Sequence, residues 1–84
     1  MKNLNSKKAR QELSNLFSSI NTLEWKMDEY IARNRKSMGT SKENYEGFDK
    51  AQAEQNKLII EMVEVYGIPN TRYEDAKRDE EEAA

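Results

Sequence analysis

The chain has 84 residues, 36% charged and 36% hydrophobic, with a formal net charge of −2 and neither cysteine nor histidine. That length allows one domain with a thin core, and the missing residue types exclude disulfides, thiolate or imidazole metal sites, and Ser-His or Cys-His nucleophile pairs. Lys2, Lys7, Lys8 and Arg10 open the chain while Asp79, Glu80, Glu81 and Glu82 close it, a dipolar layout that weakens a general case for nucleic-acid binding and leaves room for a local basic patch.

At the start, the basic residues are followed by no signal-peptide apolar stretch, and no run approaches the roughly 20 apolar residues that a bilayer crossing needs. A cytoplasmic protein without a membrane role is expected. From Ala9 onward, Leu13, Leu16, Ile20, Leu23, Met27 and Tyr30 alternate steps of three and four, as a heptad seam requires. Phe17 and Ile31 lie beside this seam and widen it toward the stripe of a bundle helix. The pattern predicts a helix over about 6–36, roughly 45 Å long at 1.5 Å per residue. Its polar face is mixed in sign, which argues against a membrane-surface helix.

Trp25 falls on the side of this helix opposite the seam, among Asn21, Thr22, Asp28 and Glu29. A large aromatic on a polar face is a candidate partner-binding anchor, because truncating such residues often costs more binding free energy than truncating their neighbours. The competing reading is packing against its own neighbours or against the tail near Tyr73.

Ser37-Met38-Gly39-Thr40-Ser41 interrupts the pattern, with Gly39 suited to a left-handed helix end and Thr40 with Glu43 fitting a capping box. Around it cluster Arg33, Arg35, Lys36 and Lys42, with Asn34, Ser37 and Thr40 among them. This basic patch is a candidate nucleic-acid backbone contact, while basic residues in a last helical turn are also favoured by the macrodipole alone.

The second series is Phe48, Ala51, Gln55, Leu58, Met62 and Val65, flanked by Tyr45, Ile59 and Tyr66. It predicts a helix over 41–66 ended by Gly67-Ile68-Pro69. Gly47 costs about 1 kcal/mol relative to alanine, so regular helix is expected only from near Phe48. Gln55 stands on the seam, either as a buried register determinant with a polar partner or half exposed. Thr71 and Glu74 suggest a short third helix over 71–78, and 79–84, lacking an apolar face, is expected to be a disordered acidic tail.

These elements define an all-α fold in which residues 1–78 form an antiparallel helical hairpin, the short connection forcing the helices back on each other. Ile60 and Val63 lie off the main stripe, so one partner helix does not cover that end. Either the segment after Pro69 folds back over it or a second copy does. A thin core favours a homodimer, as a four-helix bundle or coiled coil, through Leu58, Ile60, Val63 and Tyr66.

In outline the stretch from Ile20 to Tyr66 resembles a family of two-helix aspartyl-phosphate phosphatases. That family's Ser-Gln-x-Leu-Asp signature is met here by Gln52-Ala53-Glu54-Gln55-Asn56, which keeps neither the serine, the leucine nor the acidic residue. No activity or site residue is carried over.

With no Gly-rich phosphate loop, and with carboxylate pairs such as Asp28 and Glu29 or Glu61 and Glu64 at spacings any solvated helix shows, neither enzyme chemistry nor a cofactor is expected. The expected function is a small interaction protein, an adaptor, inhibitor or regulator of a larger protein, of a type frequent among phage and mobile-element accessory proteins. The alternative is a nucleic-acid-associated protein using the basic patch.

Overall fold

The computed structural model describes residues 2–36 and 42–83, which form three helices and no strand: α1 (Lys7–Lys36), α2 (Lys42–Glu64) and α3 (Tyr73–Ala83). The expected Gly39 turn and the Thr40 cap lie outside the described residues.

α1 starts as its sequence predicts. Ser6 stands at the N-cap, its carbonyl accepting from Arg10 N–H at 3.1 Å and its Oγ lying 3.5 Å from the Ala9 nitrogen. The seam residues Leu16, Leu23 and Met27 are buried. On α2 the buried residues are Ala51, Gln55, Asn56, Ile59 and Met62. Leu16 clusters with Met62 and Tyr66, whereas Leu23 and Met27 cluster with Ala51, and Leu58 packs against both groups. Early α1 thus meets late α2, and late α1 meets early α2. The segment ahead of α1 closes one end of this core: Leu4 packs on the Tyr66 cluster, and Lys2 N–H donates to the Val65 carbonyl at 2.6 Å.

Two expectations for α1 and α2 need revision. Regular helix begins at Lys42, not near Phe48, and runs through Gly47. A Cβ on Gly47 would stand 2.5 Å from Cε1 of the Tyr30 ring, so glycine lets that ring lie against the helix backbone. Phe17 and Ile31 do not widen the buried stripe; they are 42% and 39% exposed, as is Tyr45 at 52%. The reason is the placement of the third helix, which packs on α2 and not on α1, leaving that flank of α1 uncovered.

α2 ends in a left-handed glycine, Gly67, with φ 70°. Its N–H donates to the Val63 carbonyl at 3.0 Å and Ile68 N–H donates to the Met62 carbonyl at 3.2 Å, satisfying groups that a helix end leaves orphaned. Asn70, rather than Thr71, shapes the entry to α3: its side-chain oxygen accepts from Arg72 N–H at 2.8 Å and its carbonyl from Tyr73 N–H at 3.1 Å.

α3 runs through Asp79, Glu80, Glu81 and Glu82, where a tail without structure is expected from the sequence. Glutamate, lysine, arginine and alanine are strong helix formers. Glu74 and Asp75 in the first turn complement the macrodipole, and an Asp75–Arg78 ion pair at 3.3 Å spans one turn. Ala76 is 1% exposed, as is Ile59, and neither belongs to the clusters that α2 shares with α1. Since, among the described residues, α2 is the helix that packs on α3, Ala76 owes its burial to the second side of α2. The segment after Pro69 therefore folds back within the chain.

Candidate functional site

Trp25 is 72% exposed, the most exposed of the chain's large hydrophobic residues among those described. The α1 periodicity that buries Leu23 and Met27 turns position 25 outward, so exposure is dictated by register and not by a loop. Thr22, one turn earlier, donates its hydroxyl to the Ser18 carbonyl at 2.9 Å. Ser18, Thr22 and Leu23 form one wall of an open groove of about 540 Å³ whose other wall is Glu54, Lys57 and Leu58 of α2. Trp25 does not line this groove, because its register turns it to the side of α1 away from α2.

A polar network, buried at Gln55 and solvent-facing at Glu24 and Arg72, ties α1, α2 and the connector before α3 together. Gln55 is fully buried, and its Nε2 donates to the Ile20 carbonyl at 3.0 Å and to Glu24 Oε2 at 2.8 Å. The same Glu24 oxygen accepts from Arg72 Nη1 at 3.1 Å. Of the two readings of Gln55, the buried one holds, with its partner supplied within the chain. Its Oε1 has no hydrogen-bond partner among the described residues.

Where α3 leaves the connector, Glu64 receives the Tyr73 hydroxyl at 2.5 Å and the Lys77 ammonium at 3.4 Å. The hydrogen bond from Tyr73, aided by Lys77, holds the Glu64 carboxyl below its ordinary 4.5. The same carboxylate raises Tyr73 above 10.0 by that hydrogen bond and raises Lys77 above 10.5, chiefly by charge attraction. At the opposite edge Lys2 binds Glu12 and lies 5.5 Å over the Tyr66 ring, raising Lys2 and lowering Glu12 through their mutual hydrogen bond.

The residues singled out for self-association separate into two groups. Tyr66 is spent on the chain's own core at 4% exposed, and Leu58, half-buried, packs against that core while lining the groove. Ile60 and Val63 are half-buried. In the basic patch, Arg33 is engaged by Glu29 and lies 5.7 Å over the Tyr30 ring, and Lys42 pairs with Glu46 at 3.7 Å. Arg35 and Lys36 are exposed, and Asn34 is half-buried. Ser37 and Thr40 lie outside the described residues.

The sequence reading missed Glu24, Arg72, Ala76 and Asn56. Only Asn56 carries a hint in its neighbours: it follows the seam residue Gln55 and precedes Leu58-Ile59-Ile60, a place where a polar residue needs a reason. Among the described residues no group of three or more acidic side chains lies close enough together to hold a metal ion, and no helix is long and apolar enough to cross a membrane.

Comparison of the chain with protein-family models, with curated proteins and with solved structures gives no match. The functional reading therefore rests on the residues themselves.

Proposed function

We propose that the chain is a non-enzymatic interaction module, a helical hairpin of α1 and α2 that acts as adaptor, inhibitor or regulator by occupying the surface of a larger protein. The observation that supports this reading is Trp25, largely solvent-exposed on the polar side of a long helix. Burying an indole of this size supplies a large share of the energy of a typical interface, and a helix presents it with little conformational cost. Affinity capture with wild type and with Trp25→Ala tests it. A protein retained by wild type and lost with the variant, while circular dichroism stays unchanged, supports the reading. Equal retention by both overturns it.

Self-association deepens the same proposal and has a narrower basis than the sequence suggests, because Tyr66 is buried in the chain's own core and Leu58, Ile60 and Val63 are each only half-exposed. Sedimentation at micromolar concentration should give twice the chain mass, and a single chain mass removes the dimer. The nucleic-acid reading through Arg33, Arg35, Lys36 and Lys42 has weaker support, since Glu29 and Glu46 already engage two of the four charges. It demands salt-dependent retardation of duplex or single strand.

A further inference from the structure

Between α2 and α3 runs a groove whose floor holds a side chain that the packing does not explain. Asn56 is 6% exposed, yet its amide makes no hydrogen bond to any described residue. It lines two adjoining cavities, of about 590 and 340 Å³, and Gln52, one turn earlier, lines both with it. Its amide is not one of the fully buried polar groups without a partner, so it opens onto these cavities, and a largely buried side chain turned into a groove calls for a reason.

The rim supplies one. In the smaller cavity the positive charges are already taken, Arg78 by Asp75 at 3.3 Å and Arg72 by Glu24 at 3.1 Å. Around the larger one stand Asp49, Asp79, Glu80 and Glu82, none of which forms an ion pair among the described residues, with Lys57 as the one cation. The groove therefore offers uncompensated negative charge above a floor of two primary amides.

We infer that this groove receives an arginine or lysine side chain carried on an extended segment of another protein. The carboxylates attract and hold the cationic head. The Asn56 and Gln52 carbonyl oxygens accept from it, and their NH2 groups donate to main-chain carbonyls of the same segment. A free polyamine matches the floor less well, because a protonated amine only donates and leaves both amide NH2 groups unused. The inference is independent of Trp25, which lies on α1, the helix that α3 does not touch.

The test is a titration of the isotopically labelled full chain with a blocked pentapeptide of alternating glycine and arginine, read from the side-chain NH2 signals of Asn56 and Gln52. Saturable shifts at those two signals are expected. Affinity should fall about fivefold for the double variant Asp79→Asn, Glu80→Gln, whose positions are exposed and whose spectrum should otherwise match wild type. It should fall further as salt shortens the screening length below about 10 Å. Trp25→Ala should leave the titration unchanged, so failure here is separable from failure of the Trp25 reading. Absence of a saturable shift at Asn56 overturns the inference, as does an unchanged affinity in the double variant. Equal binding of spermidine at the same signals also overturns it, assigning the groove to free polyamines.

Discussion

Gly47 sits where helix propensity asks for alanine and packing forbids it. Alanine gains about 1 kcal/mol of propensity, but its Cβ would press on Cε1 and Cζ of Tyr30 at 2.5 Å, an overlap of the kind that costs roughly 1–3 kcal/mol. Gly47→Ala should therefore lower stability, whereas the same change in a Tyr30→Leu background should raise it; denaturant midpoints of the four variants check the change of sign. Gln55 poses a different balance. Gln55→Ala loses two donated hydrogen bonds and opens a cavity, and should cost about 2–4 kcal/mol. Gln55→Met keeps the volume and removes the buried oxygen that lacks a partner, so it should cost less than about 1 kcal/mol. Equal losses in the two variants would show that the hydrogen bonds to Ile20 and Glu24, and not the filled volume, hold this position.

Among the elements, α3 depends most on polar contacts. Ala76 is its buried residue, while Glu64 gathers Tyr73 and Lys77 at its start. Because the folded Glu64 carboxyl lies below 4.5, its contribution is complete above that pH and is lost as the pH falls through the lower folded value. Glu12 behaves the same way at the Lys2 contact. Tyr73 and Lys77 are raised above 10.0 and 10.5, so their contributions persist through neutral pH and disappear as the pH rises through the folded values. Acidification below 4.5 should thus loosen α3 before the α1–α2 pair, seen as earlier hydrogen exchange at Ala76 than at Met62. Glu64→Gln should remove the Glu64 share of that acid step; an unaltered pH profile in the variant would contradict the assignment.

Taken whole, the molecule is elongated, 49 × 25 × 18 Å with a Cα radius of gyration of 14.9 Å, against roughly 12 Å for a compact domain of this length. The shape follows from one 30-residue helix, α1, that α3 does not cross. Neither core cluster contains a residue beyond Ile68. A chain ending at Asn70 should therefore keep the α1–α2 helical signal while Ile59 and Asn56 become accessible, read as increased binding of a hydrophobic dye. Cooperative loss of all helix would show instead that α3 is integral to the core. The seams from Leu16 to Met27 and from Ala51 to Met62 were legible in the chain alone, because a three-four spacing of apolar residues admits one helical face, and so were the outward placement of Trp25 and the stop at Gly67. Long-range juxtaposition decided the rest. Tyr30 lies against Gly47, Glu24 reaches both Gln55 and Arg72, and α3 lies on the second side of α2 with Asn56 beneath it. Local periodicity states which face of a helix is apolar, but not which of several charged neighbours, 31 or 48 residues away along the chain, will meet it in space.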